Sequence, residues 1–147
     1  KLRSYHDAYQ DYLKSKCVRS ATTRCRKERE ELETLMKTVE QTVANSHSEK
    51  NTEIITLTEQ LVRRLHGGRI TSCKSAKDRT SMAVTTEQAH LLLERHGVDA
   101  AEANALADEM RTYGVRWLNM QKNVHKGAYA FNWLQRRLLP KIYRAPK

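Results

Sequence analysis

Apolar residues recur every three or four positions along most of this chain, which is the spacing of one face of an α-helix. Three such stripes occupy the first half: Tyr5, Ala8, Tyr9, Tyr12 and Leu13; Leu32, Leu35, Met36, Val39 and Val43; and Ile54, Leu57, Leu61 and Leu65. Gly67 and Gly68 follow the third stripe, and a left-handed glycine commonly caps the C-terminus of a helix. Residues 1–66 are therefore predicted to be helical.

The second half is predicted to hold three more helices, at about residues 81–96, 99–112 and 128–138. Gly97 and Gly114 would end the first two, and the third would end before Pro140. A short β-prone run, Arg69–Ser72, comes before these helices, with Ile70 as its buried residue. Because a lone strand must pair with another, its partners would be weak in this sequence or outside it.

A cysteine and an arginine stand six positions apart at Cys73 and Arg79, between the predicted strand and a predicted helix. Loop amides and a helix N-terminus in this arrangement bind phosphate. Basic neighbours and the helix dipole lower the pKa of a cysteine thiol, which favours the nucleophilic thiolate. We therefore predict that Cys73 attacks a phosphoryl group to form a cysteinyl-phosphate, which water then hydrolyses. The planar guanidinium of Arg79 would grip two phosphate oxygens.

The other residues of this loop are assigned to substrate binding and proton transfer. Thr80 would donate a hydroxyl hydrogen bond to the Cys73 thiolate. Because a leaving alkoxide needs a proton, Asp78 is the candidate general acid. Asp78 would alternatively orient Arg79 or cap the following helix. The predicted substrate-binding residues are Lys74, Ser75, Ala76, Lys77 and Thr80.

The composition limits the partners and the compartment. The net charge of +10, from 27 basic and 17 acidic residues, favours phospholipid surfaces, nucleic acid or phosphorylated small molecules. Three cysteines without paired metal-ligand spacing predict free thiols in a reducing compartment and no metal site. No apolar run is long enough to span a membrane and no signal-peptide pattern is present. The chain lacks an initiator methionine, so we expect it to belong to a longer protein.

Two segments resemble one known family. Cys73–Met82, with Val84-Thr85 and Glu87-Gln88 after it, is similar to the active-site segment of the inositol polyphosphate 4-phosphatases. Bacterial effector phosphoinositide phosphatases carry a similar loop, with glycine in the place of Ala76. The C-terminal end of the eukaryotic 4-phosphatases resembles a second set of segments, Lys122-Asn123, Tyr129–Gln135, Pro140-Lys141 and Tyr143-Arg144.

The resemblance implies a magnesium-independent phosphatase without a cofactor, which removes the 4-position phosphate of inositol lipids, chiefly phosphatidylinositol 3,4-bisphosphate. It carries over Cys73 as nucleophile and Arg79 as phosphate ligand, with Lys74 and Lys77 meeting the other ring phosphates. Related lipid phosphatases also have an aspartate just before the loop arginine, which supports Asp78 as the acid. The enzyme would be cytoplasmic and peripheral on membranes, through regions outside this chain.

The fold class that follows is a mainly α chain with a short strand feeding the Cys-x5-Arg loop, as part of an α/β cysteine-phosphatase architecture. Residues 1–147 would form a single catalytic-region fragment, with a helical part at 1–66 and the loop and C-terminal helices at 67–147. Two alternative functions stay open: a protein tyrosine or dual-specificity phosphatase, and a non-catalytic phosphoinositide-binding module. A nucleic-acid binder is the weakest option, because the chain has charge but no recognised nucleic-acid motif.

Overall fold

The computed structural model describes residues 1–20, 23–47, 51–73, 78–127, 129 and 131–145, which fall into two compact units, Lys1–Arg69 and Ile70–Lys147. The helices described in the first unit are α1 (Leu2–Ser20), α2 (Thr23–Asn45) and α3 (Glu53–Arg64). Those described in the second unit are α4 (Arg79–His96), α5 (Ala103–Tyr113), α6 (Val115–Val124) and α7 (Trp133–Leu138), followed by a 3₁₀ turn at Lys141–Tyr143. Among these helices, none is long and apolar enough to cross a membrane.

The core of the first unit is built from the three apolar stripes of the sequence. Its buried apolar side chains are Leu13, Leu32, Met36, Val39, Leu61 and Leu65. Burying a Leu or Met side chain is worth about 1.5–3 kcal/mol, so six such residues supply most of the force that holds three amphipathic helices together. The helices predicted for the first half are confirmed.

A disulfide between Cys17 and Cys25 links α1 to α2 in the first unit. The prediction of free thiols is therefore wrong for these two residues. Their spacing of eight positions gave no hint of pairing, because the chain has to reverse direction between them before their side chains can meet. The distance between the two Cα atoms is 5.7 Å, which lies within the range that a disulfide spans.

The C-terminus of α3 is capped by a histidine rather than by a glycine. His66 takes the left-handed conformation with φ of 53°, and its amide donates to the Arg63 carbonyl at 3.0 Å. The Gly67 amide donates to the Val62 carbonyl at 2.9 Å. This pair of hydrogen bonds is a Schellman cap with His66 in the left-handed position. The prediction of a left-handed glycine cap is wrong in that detail, although the helix ends where the sequence indicated.

The predicted strand at Arg69–Ser72 is wrong, and with it the α/β fold class: the part of the chain that the structure describes is helical and contains no strand. Ile70, expected to be buried, is 98% exposed. The Arg69 guanidinium instead donates to the Ile55 carbonyl at 2.7 Å and to the Thr58 hydroxyl at 3.3 Å. These contacts hold the residue against α3. Four β-prone residues cannot form a sheet without a partner strand, and propensity alone says nothing about one.

In the second unit, α4 and α5 pack against each other through small side chains. Ala89 of α4 and Ala103 and Ala107 of α5 are buried together. Gly97 ends α4 with φ of 68°, and Gly114 ends α5, as the sequence predicted. Alanine at the contact lets the two backbones approach closely, which matters for the site described below.

The C-terminal helices differ from the prediction. The helix expected at 128–138 begins only at Trp133, since Gly127, Tyr129, Phe131 and Asn132 are not helical; residues 128 and 130 lie outside the described residues. A helix was not predicted at Val115–Val124, yet α6 forms there directly after Gly114. The signal was present in the sequence, because Trp117, Met120 and Val124 recur at the spacing of one helical face.

Replacing Gly114 by alanine is expected to destabilise the second unit by about 1–3 kcal/mol, the usual cost of forcing an atom into a packed region. A Cβ at this position would collide with the carbonyl oxygen of Met110, which is backbone and cannot rotate away. Gly68→Ala is the matched control, because a Cβ there meets nothing within 4 Å. Urea unfolding measures both variants; equal midpoints would contradict the prediction.

Candidate functional site

The two ends of the predicted phosphate loop lie in contact. The Thr80 hydroxyl donates a hydrogen bond to the Cys73 sulfur over 3.2 Å, and both residues are half-buried. A hydroxyl donor stabilises a thiolate more than a thiol, because the hydrogen bond to the charged form is stronger. Four of the predicted substrate-binding residues, Lys74, Ser75, Ala76 and Lys77, lie outside the described residues.

Asp78 and Arg79 stand where the loop enters α4. Asp78 is half-buried, and its carbonyl accepts the first helical hydrogen bond, from the Met82 amide at 3.0 Å. Its side chain makes no capping hydrogen bond. The alternative prediction that Asp78 caps the helix is therefore wrong. Arg79 is exposed as the first residue of the helix. The α4 N-terminus and this guanidinium thus bring positive potential to the same end of the loop.

The first turns of α4 are deeply buried behind this end. The buried residues are Ser81, Met82, Ala83, Thr85 and Thr86. The Thr85 and Thr86 hydroxyls donate to the carbonyls of Ser81 and Met82, each at 2.8 Å, and so occupy polar groups along the helix itself. Packing of this kind holds the first turns of α4 in one position, because it leaves little room for the backbone to shift.

Arg111 of α5 donates hydrogen bonds to the first turns of α4. It is 1% exposed, and its Nε donates to Thr85 Oγ1 at 2.9 Å. Its Nη2 donates to Thr86 Oγ1 at 3.0 Å and to the Met82 carbonyl at 3.3 Å. Its Nη1 forms an ion pair with Asp108 at 3.0 Å. A guanidinium carries five donors in a fixed plane, so one side chain can bind several groups of the neighbouring helix at once.

Arg111 also joins α4 to the C-terminal segment. Its Nη1 donates to the Arg144 carbonyl at 3.2 Å, and its own carbonyl accepts the Tyr129 hydroxyl at 2.8 Å. Arg111 was not predicted as a site residue from the sequence. The available signal was its place on the stripe of Ala103, Ala107 and Arg111, four positions apart, where two alanines mark a closely packed face.

A separate polar groove of about 780 Å³ lies between α1 and α2 and is lined by none of the predicted site residues. Its buried residues are His6 and Gln10, and both acidic and basic side chains line it. His6 Nε2 lies 3.5 Å from the Glu33 carboxylate. Lys14 bonds Asp11 at 2.7 Å and lowers the pKa of that carboxyl. These opposite charges neutralise each other, so the groove is a poor phosphate site. Among the described residues, no cluster of ligands suits a metal ion.

Replacing Thr80 by valine is expected to slow alkylation of Cys73 by iodoacetamide near neutral pH about tenfold, because a hydrogen bond to a charged group is worth about 1.5–3 kcal/mol. Valine keeps the shape of threonine but cannot donate to the sulfur. The rate, followed against pH by mass spectrometry at the Cys73 peptide, should recover in Thr80→Ser. An unchanged pH profile in Thr80→Val would show that the hydroxyl does not stabilise the thiolate.

Comparison with known proteins gives consistent matches over nearly the whole chain. The family model described as the INPP4A C-terminal domain matches residues 1–143. Inositol polyphosphate 4-phosphatase type II of Homo sapiens is 42% identical over 120 residues, which is 82% of this chain and 13% of that protein. Type II inositol 3,4-bisphosphate 4-phosphatase of Rattus norvegicus is 41% identical with the same coverage. The chain therefore spans about an eighth of the length of these relatives. No solved structure matches it.

Proposed function

The chain belongs to the INPP4A C-terminal domain family, and from that premise we propose that it carries the catalytic loop of a phosphoinositide phosphatase. The substrate is phosphatidylinositol 3,4-bisphosphate, from which the enzyme removes the 4-position phosphate. The observation that carries this proposal is the hydrogen bond from Thr80 to the Cys73 sulfur at the start of α4. The names of the curated relatives, which are 4-phosphatases acting on inositol phosphates, support the substrate class.

The proposed reaction has two displacements at phosphorus. In the first, the Cys73 thiolate attacks, the S–P bond forms and the bond from phosphorus to the ring oxygen breaks. Asp78 gives its proton to that leaving oxygen, while Arg79 holds the equatorial phosphate oxygens. In the second, Asp78 takes a proton from the attacking water, the new O–P bond forms, the S–P bond breaks and inorganic phosphate leaves. Thr80 stabilises the thiolate that is regenerated, through the hydrogen bond described above.

The remaining assignments follow from the same chemistry. Lys74 and Lys77 would meet the other ring phosphates, and Ser75 and Ala76 would offer backbone amides to the transferred one. No cofactor takes part in this scheme. We place the protein in the cytoplasm, peripheral on membranes, with residues 1–147 as one part of its catalytic region.

Phosphate release by the intact protein tests the proposal. The substrates are vesicles with phosphatidylinositol 3,4-bisphosphate, soluble inositol 3,4-bisphosphate, and a phosphotyrosine peptide. We expect turnover of both inositol compounds, with loss of the 4-phosphate, and little of the peptide. Preference for the peptide would favour a tyrosine or dual-specificity phosphatase instead. Binding of the lipid without any phosphate release would favour a non-catalytic phosphoinositide-binding module.

A further inference from the structure

The positive charge of this chain is concentrated at one end. Nine of its 27 Lys and Arg residues lie in residues 110–147, and none of its 17 Asp and Glu residues does. The preceding residues are nearly neutral, with 18 basic against 17 acidic side chains. Almost the whole net charge of +10 therefore belongs to the segment that contains α6, α7 and the 3₁₀ turn.

The same segment exposes large apolar side chains on one helix face. Trp133 is 71% exposed, Leu138 is 75% exposed, and Leu134 is 48% exposed. Arg137 is exposed as well. In a helix, residues four apart share a face, so Trp133 lies beside Arg137 and Leu134 beside Leu138. These four residues form the α7 patch.

The α7 patch is held by its neighbours and does not depend on its own short helix for order. The Arg144 guanidinium donates to the carbonyls of Leu139, at 2.8 Å, and Arg137, at 3.2 Å. Arg136 donates to the Ala145 carbonyl at 3.3 Å. These three hydrogen bonds tie α7 to the segment that follows it. An ordered apolar surface loses less entropy on binding than a mobile one.

We propose that the α7 patch docks on an anionic phospholipid bilayer. Tryptophan prefers the interface between headgroups and acyl chains, and leucines beside it would enter the apolar layer. The surrounding Lys and Arg residues would meet the negative headgroups, where each basic residue near the surface strengthens binding. The charge favours an anionic bilayer over an apolar protein partner, because a segment with nine basic residues and no acidic residue complements an anionic surface. Exposed leucines decide against nucleic acid, which binds through charge and stacking.

Docking at this place would also connect the bilayer to the catalytic loop. The Arg144 carbonyl, next to the patch, accepts from Arg111, which binds the first turns of α4. If the proposed function holds, the membrane contact lies within this chain and does not depend solely on regions outside it. The docking itself requires no catalysis and is tested independently.

Co-sedimentation of the intact protein with vesicles tests the docking. We expect binding to phosphatidylcholine mixed with phosphatidylserine, weaker binding in high salt, and little binding to phosphatidylcholine alone. Trp133→Ala combined with Leu138→Ala should lower the partition coefficient about tenfold or more through lost apolar burial. Arg137→Gln should lower it about fivefold through lost headgroup attraction. Tyr12→Ala, which removes a half-exposed aromatic side chain from α1, is the matched control and should bind as the unaltered protein does.

Tryptophan fluorescence adds a local measurement when the unaltered protein is compared with Trp133→Phe, since the difference between them comes from Trp133. A blue shift on anionic vesicles that disappears in Trp133→Phe supports insertion of the patch. The proposal is wrong if the double variant binds vesicles as tightly as the unaltered protein, or if neutral and anionic vesicles bind equally. It is also wrong if the patch variants lose binding to a nucleic acid probe and keep binding to vesicles.

Hydrolysis of soluble inositol 3,4-bisphosphate separates this proposal from the proposed function. The double variant should keep that activity while it loses vesicle binding. Loss of both would show that the patch serves the fold and would overturn the docking. If the unaltered protein binds vesicles but hydrolyses no inositol phosphate, the docking stands and the proposed function fails.

Discussion

Cys73→Ser is expected to reduce phosphate release from phosphatidylinositol 3,4-bisphosphate about a thousandfold or more, to below detection. A serine hydroxyl at this position would stay protonated at neutral pH, so the variant lacks the thiolate that attacks phosphorus. The substitution is nearly isosteric, and Thr80 can donate to the new oxygen as it does to the sulfur at 3.2 Å. Initial rates of phosphate release, with the circular dichroism spectrum as a check on folding, measure the effect.

The loss of phosphate release reports on the chemical step only if Cys73→Ser still binds the substrate. We expect Cys73→Ser to bind vesicles that contain the substrate as tightly as the unaltered protein, because the α4 N-terminus and Arg79 are unchanged. Acid-quenched samples of the unaltered protein should contain a phosphorylated Cys73 peptide, and the variant should contain none. Turnover by Cys73→Ser at the unaltered rate would contradict the covalent mechanism, even if the substrate assignment is correct.

The first unit was largely predictable because its helices repeat apolar residues over several turns. Leu32, Met36 and Val39 are buried at the positions that the stripe required. Ile70 shows where this reasoning fails. The β-propensity of residues 69–72 describes only the local preference of the backbone. A strand also needs a partner strand, which no local pattern can predict. The structure leaves Ile70 exposed and holds the neighbouring Arg69 to α3 by hydrogen bonds.

The residues of the candidate site could be proposed from the sequence, but the residue that supports them could not. Cys73, Asp78, Arg79 and Thr80 lie within eight consecutive positions, so their residue types and spacing were enough to propose a role for each. Arg111 is 31 positions or more from any of them, and a single arginine on an alanine-rich helix resembles a surface residue. Its burial depends on how α5 packs on α4, which is a property of the tertiary structure.

Arg111→Met is expected to destabilise the second unit by about 3–4 kcal/mol. Methionine fills much of the volume but removes the guanidinium donors to the Thr85 and Thr86 hydroxyl oxygens and to the Arg144 carbonyl, at about 1–3 kcal/mol for each buried acceptor that loses its donor. Asp108 adds little, because its carboxylate is half-exposed and water can solvate it. Arg95→Met, on the exposed end of α4, is the matched control and should change the unfolding free energy by less than about 0.5 kcal/mol.

Catalysis distinguishes a positioning residue from one that only stabilises the fold. At temperatures where Arg111→Met is still folded, we expect kcat to fall more than KM rises, because displaced first turns of α4 misplace Cys73 and Arg79 in the transition state. Arg111→Lys should recover part of the stability and less of kcat, since an ammonium cannot reach Thr85, Thr86 and Arg144 together. If kcat in folded Arg111→Met equals that of Arg95→Met, Arg111 stabilises the fold and does not position the catalytic residues. Cys73 and Arg79 would then keep their positions without the link from α4 to the C-terminal segment.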